Sequence, residues 1–238
     1  MKRILSTMRR AIQDYNMIED GDKIAVGVSG GKDSLTLLAA LAAYRRFCEH
    51  PFEVMGITIN MGFEGVDYSP VAEFCRGIGV QYVEKKTDIA EILFDVRKEK
   101  NPCSLCSRMR RGAVNDLAKE YGCNKVALGH NNEDAIETFF LSLFYEGRLN
   151  CFSPVSYLSR RDLKVIRPLI YVAEGDIKGY ARRAEIPIVK NPCPMDGVSK
   201  RQEMKDFINE KNSQDKHFKA RMMNAIQTGL EDWKLKGE

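Results

Sequence analysis

The chain concentrates residues able to do chemistry in two places. The first is the run Ser29-Gly30-Gly31-Lys32-Asp33-Ser34, set between an apolar stretch and a helical pattern. Glycines let backbone N–H groups approach a phosphate. The N-terminus of the helix that follows adds unpaired N–H groups and a positive dipole. Lys32 supplies a point charge, and Asp33 and Ser34 can cap the helix or assist a magnesium ion. The run is not Walker A, because Asp33 follows Lys32 where Ser or Thr is required, and the dinucleotide fingerprint of spaced glycines is absent. An ordinary βα turn has no need of two glycines, Lys, Asp and Ser in this order. A phosphate-binding loop is expected.

The second place is a set of cysteines. Cys103-Ser104-Leu105-Cys106 is the one CxxC, and alone it is compatible with zinc, redox or cluster chemistry. The tetrapeptide Lys-Asn-Pro-Cys occurs at 100–103 and again at 190–193, which marks Cys193 as a third member. Proline after Asn predicts an extended backbone in each loop, with the thiol presented outward, and Pro194 reinforces this at the second site. A structural zinc takes four ligands, usually as two such pairs. Three thiolates can instead hold a 4Fe-4S cube and leave its fourth iron open to an external sulfur species. On the residues alone a cluster, a zinc ion and unliganded thiols stay open. Of the seven cysteines, Cys48 and Cys75 lie in apolar helical patterns and Cys123 at a helix end, so all three are expected in the core. Cys151 is open between the core and a sulfur relay. Three histidines are too few for a histidine-rich metal site.

The elements that must position these groups alternate strand and helix. Strands are expected at Lys23–Val28, Phe52–Asn60, Val80–Glu84 and Asn124–Gly129, with helices at Asp33–Phe47, Arg108–Tyr121 and Asn132–Tyr145. That order predicts a parallel sheet covered by helices on both faces. Beyond residue 150 come a loop-rich stretch, a segment at Lys164–Pro168, a helix near Glu174–Ala184, a Pro-rich loop at Pro187–Pro194, and polar helices near Ser199–Lys211 and Asp215–Leu230. The expected division is a nucleotide-binding α/β core at 1–150, including the CxxC loop, and a basic C-terminal extension at 151–238 that carries Cys193.

Of the 238 residues, 44% are hydrophobic and 29% charged, enough for a substantial core. No apolar run is long enough to cross a membrane, and the charged leader lacks a signal-peptide core, so no membrane contact and a cytoplasmic location are expected. Residues 1–150 hold 20 Lys/Arg against 21 Asp/Glu, whereas residues 151–238 hold 17 against 12, a net +5. A second basic cluster, Arg97, Lys98, Lys100, Arg108, Arg110 and Arg111 with Glu99 as its one acid, surrounds the CxxC. Both clusters suit phosphate contacts.

SGGKDS resembles the signature of the PP-loop ATP pyrophosphatases. Leu128–Thr138 (LGHNNEDAIET) is similar to the second nucleotide segment of their tRNA-modifying branch, with Glu133 standing where that branch usually carries the first Asp of a pair. NPCSLCSRMRRG, GHNNEDAIETFFLSLFYEGRL, VIRPLIYVAEGDI and IPIVKNPCP, in this order over about residues 10–210, resemble the TtcA branch, the tRNA 2-thiocytidine synthetases. The third cysteine of that branch often lies in a Cys-x-x-Cys, but here Pro194-Met195-Asp196 follows Cys193.

The resemblance implies an α/β fold, a doubly wound parallel sheet of the PP-loop (HUP-like) kind with a small helical C-terminal extension. It implies an ATP-dependent sulfurtransferase. ATP and Mg2+ would sit at Ser29, Gly30, Gly31, Lys32, Asp33 and Ser34 together with Gly129, His130 and Asp134. A 4Fe-4S cluster would sit on Cys103, Cys106 and Cys193, with Lys32, Asp33 and the three cysteines as the catalytic set. The substrate would be cytidine 32 in the tRNA anticodon loop, flipped out so that O2 can be adenylated and replaced by sulfur. The sulfur would come from a donor such as a cysteine desulfurase or sulfide; a homodimer is a candidate assembly. Two rival readings keep the phosphate loop. One is a PP-loop enzyme adenylating another tRNA base or a small molecule, as in 2-thiouridine or lysidine chemistry. The other is a nucleotide-binding protein with a structural metal.

Overall fold

The computed structural model describes residues 1–98, 102–190, 193 and 200–235. Lys100, Glu99, Asn101 and the stretch Pro194–Ser199, invoked in the sequence reading, lie outside the described residues, as do Asn191 and Pro192. β1 (Asp22–Gly27), β2 (Phe52–Asn60), β3 (Gln81–Lys86), β4 (Lys125–Ala127), β5 (Val155–Leu158) and β6 (Leu163–Ile166) form one six-stranded sheet in the order β3-β2-β1-β4-β6-β5. All neighbours run parallel except β5, which pairs antiparallel with β6. β1 alternates its side chains between the two faces. Ile24 and Val26 point into one apolar cluster and Ala25 into the other, and all three are completely buried.

The helices α2 (Lys32–Tyr44), α3 (Ser69–Gly77), the short α4 (Ile89–Glu91), α5 (Pro102–Glu120), α6 (Asn132–Leu141) and α7 (Glu174–Arg183) cover these faces. The leader also folds. Ile4, Met8, Ala11 and Ile12, spaced to form one stripe, bury the inner side of α1 (Lys2–Asp14), whose charges face outward.

Two corrections bear on the site. Cys103 and Cys106 do not sit in an extended loop. Pro102 is the first residue of α5, a position where its missing N–H costs nothing and its fixed φ favours the helix. The pair therefore lies three positions apart on a helix surface, with Cys103 exposed and Cys106 half-buried. The sheet also does not stop at residue 150. β6 pairs with β4 in register from Lys125 opposite Lys164 to Ala127 opposite Ile166, so the basic C-terminal part contributes two strands of the core before its helices begin. The last two, α8 (Lys200–Gln214) and α9 (Phe218–Gly229), pack on α6 through Phe140, which meets Phe207 at 5.5 Å and Phe218 at 6.1 Å between ring centroids.

The order places β1 between β2 and β4, at the point where successive connections leave in opposite directions. The crevice beyond the carboxyl ends of such strands is where α/β proteins bind ligands. The loop after β1 is Val28–Gly31 and the loop after β4 is Leu128–Asn131.

Candidate active site

The phosphate loop is closed by its own hydroxyls. Ser34 Oγ donates to the Gly31 carbonyl at 3.0 Å and accepts the Ser29 N–H at 3.1 Å, and the Gly31 N–H reaches Ser29 Oγ at 3.3 Å. Ser34 is buried, so its role is to shape the loop; the N-cap itself is Gly31, in an extended conformation and without a side-chain cap. The free N–H groups of the first turn of α2 therefore stay available for an anion. Gly30 has φ +81, and a Cβ there would lie 2.9 Å from Val189 Cβ. The Val189 N–H donates to the Gly30 carbonyl at 3.0 Å, so Val189, four positions before Cys193, lies directly over the loop.

Lys32 and Asp33 open α2 and are held by partners. Lys32 Nζ lies 2.8 Å from Asp33 Oδ2 and 3.1 Å from Glu174 Oε1. Burial works against the Lys32 charge, but the two carboxylates outweigh it and raise its pKa. Asn131 Nδ2 donates to Asp33 Oδ1 at 3.0 Å, joining the two nucleotide segments. Asn131 also caps α6: its Oδ1 accepts the Asp134 N–H at 3.1 Å while its own N–H donates to Asp134 Oδ2 at 2.9 Å, a reciprocal capping box. Burial raises the pKa of Asp134, against the Asn131 N–H and Arg201, whose Nη1 is 3.6 Å away.

Glu133, where the family pattern has aspartate, turns away from this centre. Its Oε2 accepts the Glu174 N–H at 2.8 Å and its Oε1 pairs with Lys219 at 3.1 Å, so the longer side chain fastens α7 and α9 to α6.

Two residues that local sequence patterns do not reveal complete the charge network. Glu174 gathers Lys32, Lys178 and Lys205. Burial pushes its pKa up, but the three ammonium groups prevail and hold it at about 2. Arg201, on α8, lies 3.2 Å from Glu137 Oε2 and 3.2 Å from Thr138 Oγ1. The only signal for Glu174 is its place in the VIRPLIYVAEGDI run, and nothing local marks Arg201.

Cys103, Cys106 and Cys193 line one cleft of about 1050 Å³, together with Ser29, His130, Arg110 and Arg111. Cys106 Sγ lies 3.6 Å from Met61 Sδ. Burial raises the Cys106 pKa, Arg110 opposes this, and the nearby Cys193 and Cys103 add to the rise, so the three thiols lie within one another's electrostatic reach. Among the described residues no group of three or more His, Cys, Asp or Glu is close enough to hold one metal ion. Three cysteines lining one cleft are a soft donor set of the kind that binds iron or zinc.

The other cysteines are placed by packing. Cys75 and Cys123 are buried, whereas Cys48 lies beyond the end of α2 and is only half-buried. Cys151 is buried, its Sγ lies 3.4 Å from the Ala135 carbonyl, and burial pushes its pKa up to about 12, so it carries no thiolate for a relay.

His130 lines the cleft together with Ser29 of the phosphate loop, its ring 4.7 Å from that of Phe152. Burial, reinforced by Arg167, Arg201 and Arg111, depresses its pKa to about 3. An unfolded histidine titrates near ~6.5. Its contribution to stability is therefore fully present above that value and is lost as pH falls toward 3. Urea unfolding at pH 7 and pH 5 should show wild type losing up to about 2 kcal/mol more than His130→Gln. Equal losses would mean that the ring protonates freely in the folded protein.

A mostly parallel sheet with a glycine loop at its switch point is the arrangement of a PP-loop protein, and the PP-loop domain model matches residues 4–211. The chain is 36% identical to a tRNA-cytidine(32) 2-sulfurtransferase of Geobacter sulfurreducens over 94% of its length and 89% of the relative. It is 39% identical to the protein of that name from Geotalea daltonii, over 94% and 90% of the two chains. The chain thus belongs to the PP-loop family, in the group of the tRNA-cytidine(32) 2-sulfurtransferases. Among solved structures it is similar to the U34-tRNA thiolase NcsA from Methanococcus maripaludis with its [4Fe-4S] cluster, at 25% identity and a TM-score of 0.79, covering 98% of this chain and 80% of that one. A phosphoadenylyl-sulfate reductase from Candida auris shares the fold, at 14% identity and a TM-score of 0.50, over 76% of this chain and 81% of that one. No helix among the described residues is long and apolar enough to cross a membrane.

Proposed function

We propose that the protein is an ATP-dependent tRNA sulfurtransferase that replaces O2 of cytidine 32 with sulfur. The observation that carries this reading is the meeting of a PP-loop and three cysteines at one cleft, in a chain whose relatives bear that activity in their names. ATP is held by the backbone of Ser29–Gly31, the first turn of α2 and Lys32, which exchanges a carboxylate partner for phosphate oxygens. Asp33 and Asp134, brought to the same centre through Asn131, are the carboxylates that would face Mg2+. The base oxygen attacks the α-phosphorus, pyrophosphate leaves, and the O-adenylate so formed has AMP as its leaving group when sulfur attacks C2. Without activation that ring oxygen would be a poor leaving group.

Cys103, Cys106 and Cys193 would hold a 4Fe-4S cluster, as the related thiolase does its own. When bound, such a cluster offers an iron without a protein ligand to an external sulfur species. Met61 and Arg110 border this site, one as an apolar and polarizable wall, the other as a cation that favours the thiolate form of Cys106. Sulfide or a cysteine desulfurase would supply the sulfur.

Anaerobic protein should contain about four irons and matching sulfide per chain and should place 2-thiocytidine in tRNA when given ATP and a sulfur source. Stoichiometric zinc without sulfide, or thiouridine as the product, would sink the reading.

tRNA reaches the cleft past α5, whose Arg108, Arg110 and Arg111 line it. Binding should weaken steeply between 50 and 200 mM salt. Arg110→Ala with Arg111→Ala should lower the slope of log K against log salt by about 2, with ATP affinity unchanged. Filter binding measures both, and an unchanged slope would move the RNA to another face.

A further inference from the structure

The lining of the cleft that holds the three cysteines is of two kinds. Seven arginines line it and, among the described residues, no aspartate or glutamate does. Arg108 and Arg111 come from α5, and Arg160 and Arg161 from the β5–β6 turn. The other part is apolar: Met61 and Phe63 from the turn after β2, and Leu93 and Phe94 from the π-helical turn Ile92–Val96. Phe63 and Phe94 are half-buried, so each ring keeps surface that a ligand can reach. Their centroids are 6.0 Å apart and their planes are inclined by 48°.

The apolar part is laced together by backbone. Asn60 Oδ1 accepts the Gly62 N–H at 3.0 Å, and the Asn60 carbonyl accepts the Thr87 N–H and the Thr87 hydroxyl, each at 2.9 Å. The Met61 carbonyl accepts the Ala90 N–H at 2.8 Å. A Cβ at Gly62 would lie 2.7 Å from the Thr87 carbonyl oxygen, a measure of how closely the two segments approach. The rings of Phe63 and Phe94 are therefore in place before any ligand arrives.

Arginines without acids call for a polyanion, and accessible aromatic rings call for a flat partner. Single-stranded RNA has both parts, phosphates that track cations and bases that stack on aromatic side chains. Ser29, Met61 and Phe63 border both this cleft and a smaller cavity beside Gly31, and Met61 Sδ is 3.6 Å from Cys106 Sγ. The aromatic pair thus adjoins both the phosphate loop and the thiols, the two places where the C2–O2 group of the base must react.

We propose that Phe63 and Phe94 form the seat of the flipped target base, which stacks on Phe94 and meets Phe63 at its edge, while the arginines of α5 and the β5–β6 turn take the adjoining phosphates. The assignment rests on the tRNA-cytidine reading given above and adds the groups that hold the base. Phe94 lines the larger cleft alone, whereas Phe63 also borders the smaller cavity, so Phe94 is the residue to change.

The test is binding of full-length protein, with a non-hydrolysable ATP analogue, to tRNA carrying cytidine or an abasic site at position 32. Wild type should bind the abasic tRNA ~5–100-fold more weakly, the range that stacking on an aromatic ring supplies. Phe94→Ala should lose a similar factor toward the cytidine tRNA but less than ~2-fold toward the abasic one, because both changes remove the same contact. Phe94→Tyr should bind as wild type does. Stacking releases no counterions, so Phe94→Ala should keep the wild-type slope of log K against log salt. Equal wild-type affinities for the two tRNAs overturn the assignment, and that comparison decides alone should the variant not fold. Equal losses by Phe94→Ala toward both tRNAs also overturn it. So does a matching loss of ATP affinity, which would give the seat to adenine. Failure of wild type to form 2-thiocytidine in a parallel assay would count against the proposed activity instead.

Discussion

Cys193→Ser is expected to remove 2-thiocytidine formation entirely while leaving tRNA-dependent pyrophosphate release within about tenfold of wild type. Asp33→Ala is expected to remove both. The two outcomes separate because the residues serve different steps. Asp33 lies at the mouth of the phosphate loop, tied to Lys32 and Asn131, and its loss leaves Lys32 paired with Glu174 and breaks the link between the two nucleotide segments. Preorganised charge of this kind is worth ~10²–10³-fold in rate per group. Cys193 lines the cleft beside Cys106, and a serine hydroxyl is a poor ligand for iron, but the α-phosphate can still be attacked without sulfur. Labelled pyrophosphate release beside mass spectrometry of digested tRNA reads both steps. Thiolation by Cys193→Ser would remove that residue from sulfur delivery, and thiolation by Asp33→Ala would show that activation does not run through this loop.

Gly129→Ala should weaken ATP binding by ~10–100-fold although it adds a single methyl group. A Cβ there would lie 3.0 Å from the Asp33 carbonyl carbon and 3.0 Å from the Ser34 nitrogen. Both are backbone atoms of the first turn of α2 and cannot rotate aside. The helix N-terminus must move by a few tenths of an ångström, which misaligns the N–H groups that would meet phosphate. Overpacking of this kind costs ~1–3 kcal/mol in stability, so the variant should still fold. Calorimetric titration with ATP measures the loss, and wild-type affinity in a folded variant would show that the β4 loop does not set the position of the phosphate loop.

The parallel core is legible in the sequence because its strands are short apolar runs bounded by turn residues, and the expected span of β2 matches the observed one to the residue. The phosphate loop is legible for the same reason: its chemistry is local. Three kinds of feature are not. The edge strand β5 is short and only partly buried, so Val155–Leu158 carries no run of core residues to announce it. The start of α5 is hidden because Pro102 is compatible with both an extended segment and a first helical turn. The charge network is hidden because its members are far apart in the chain. Glu174 meets Lys32, and Arg201 meets Glu137, only after α7 and α8 have packed against the nucleotide side of the sheet. The glutamate at 133 belongs here too. Sequence marks it as an unusual acid in a nucleotide motif, whereas its partners, Glu174 and Lys219, show it fastening helices.

The fold also contains an optical reporter. Trp233, the sole tryptophan, is completely buried. Its indole N–H donates to the Phe152 carbonyl at 3.0 Å, its ring lies 6.4 Å from that of Phe152, and its own carbonyl accepts the Tyr15 hydroxyl at 3.0 Å. One fluorophore thus touches Phe152, whose ring lies against His130 and Arg167, as well as the end of the first helix. Its emission requires no label and has no second tryptophan to confuse it. Displacement of Phe152 on RNA binding would be followed as a change in its intensity, and an absorbing cluster across the cleft would quench it by energy transfer. Cluster assembly, RNA capture and unfolding could then be timed in one cuvette by stopped flow.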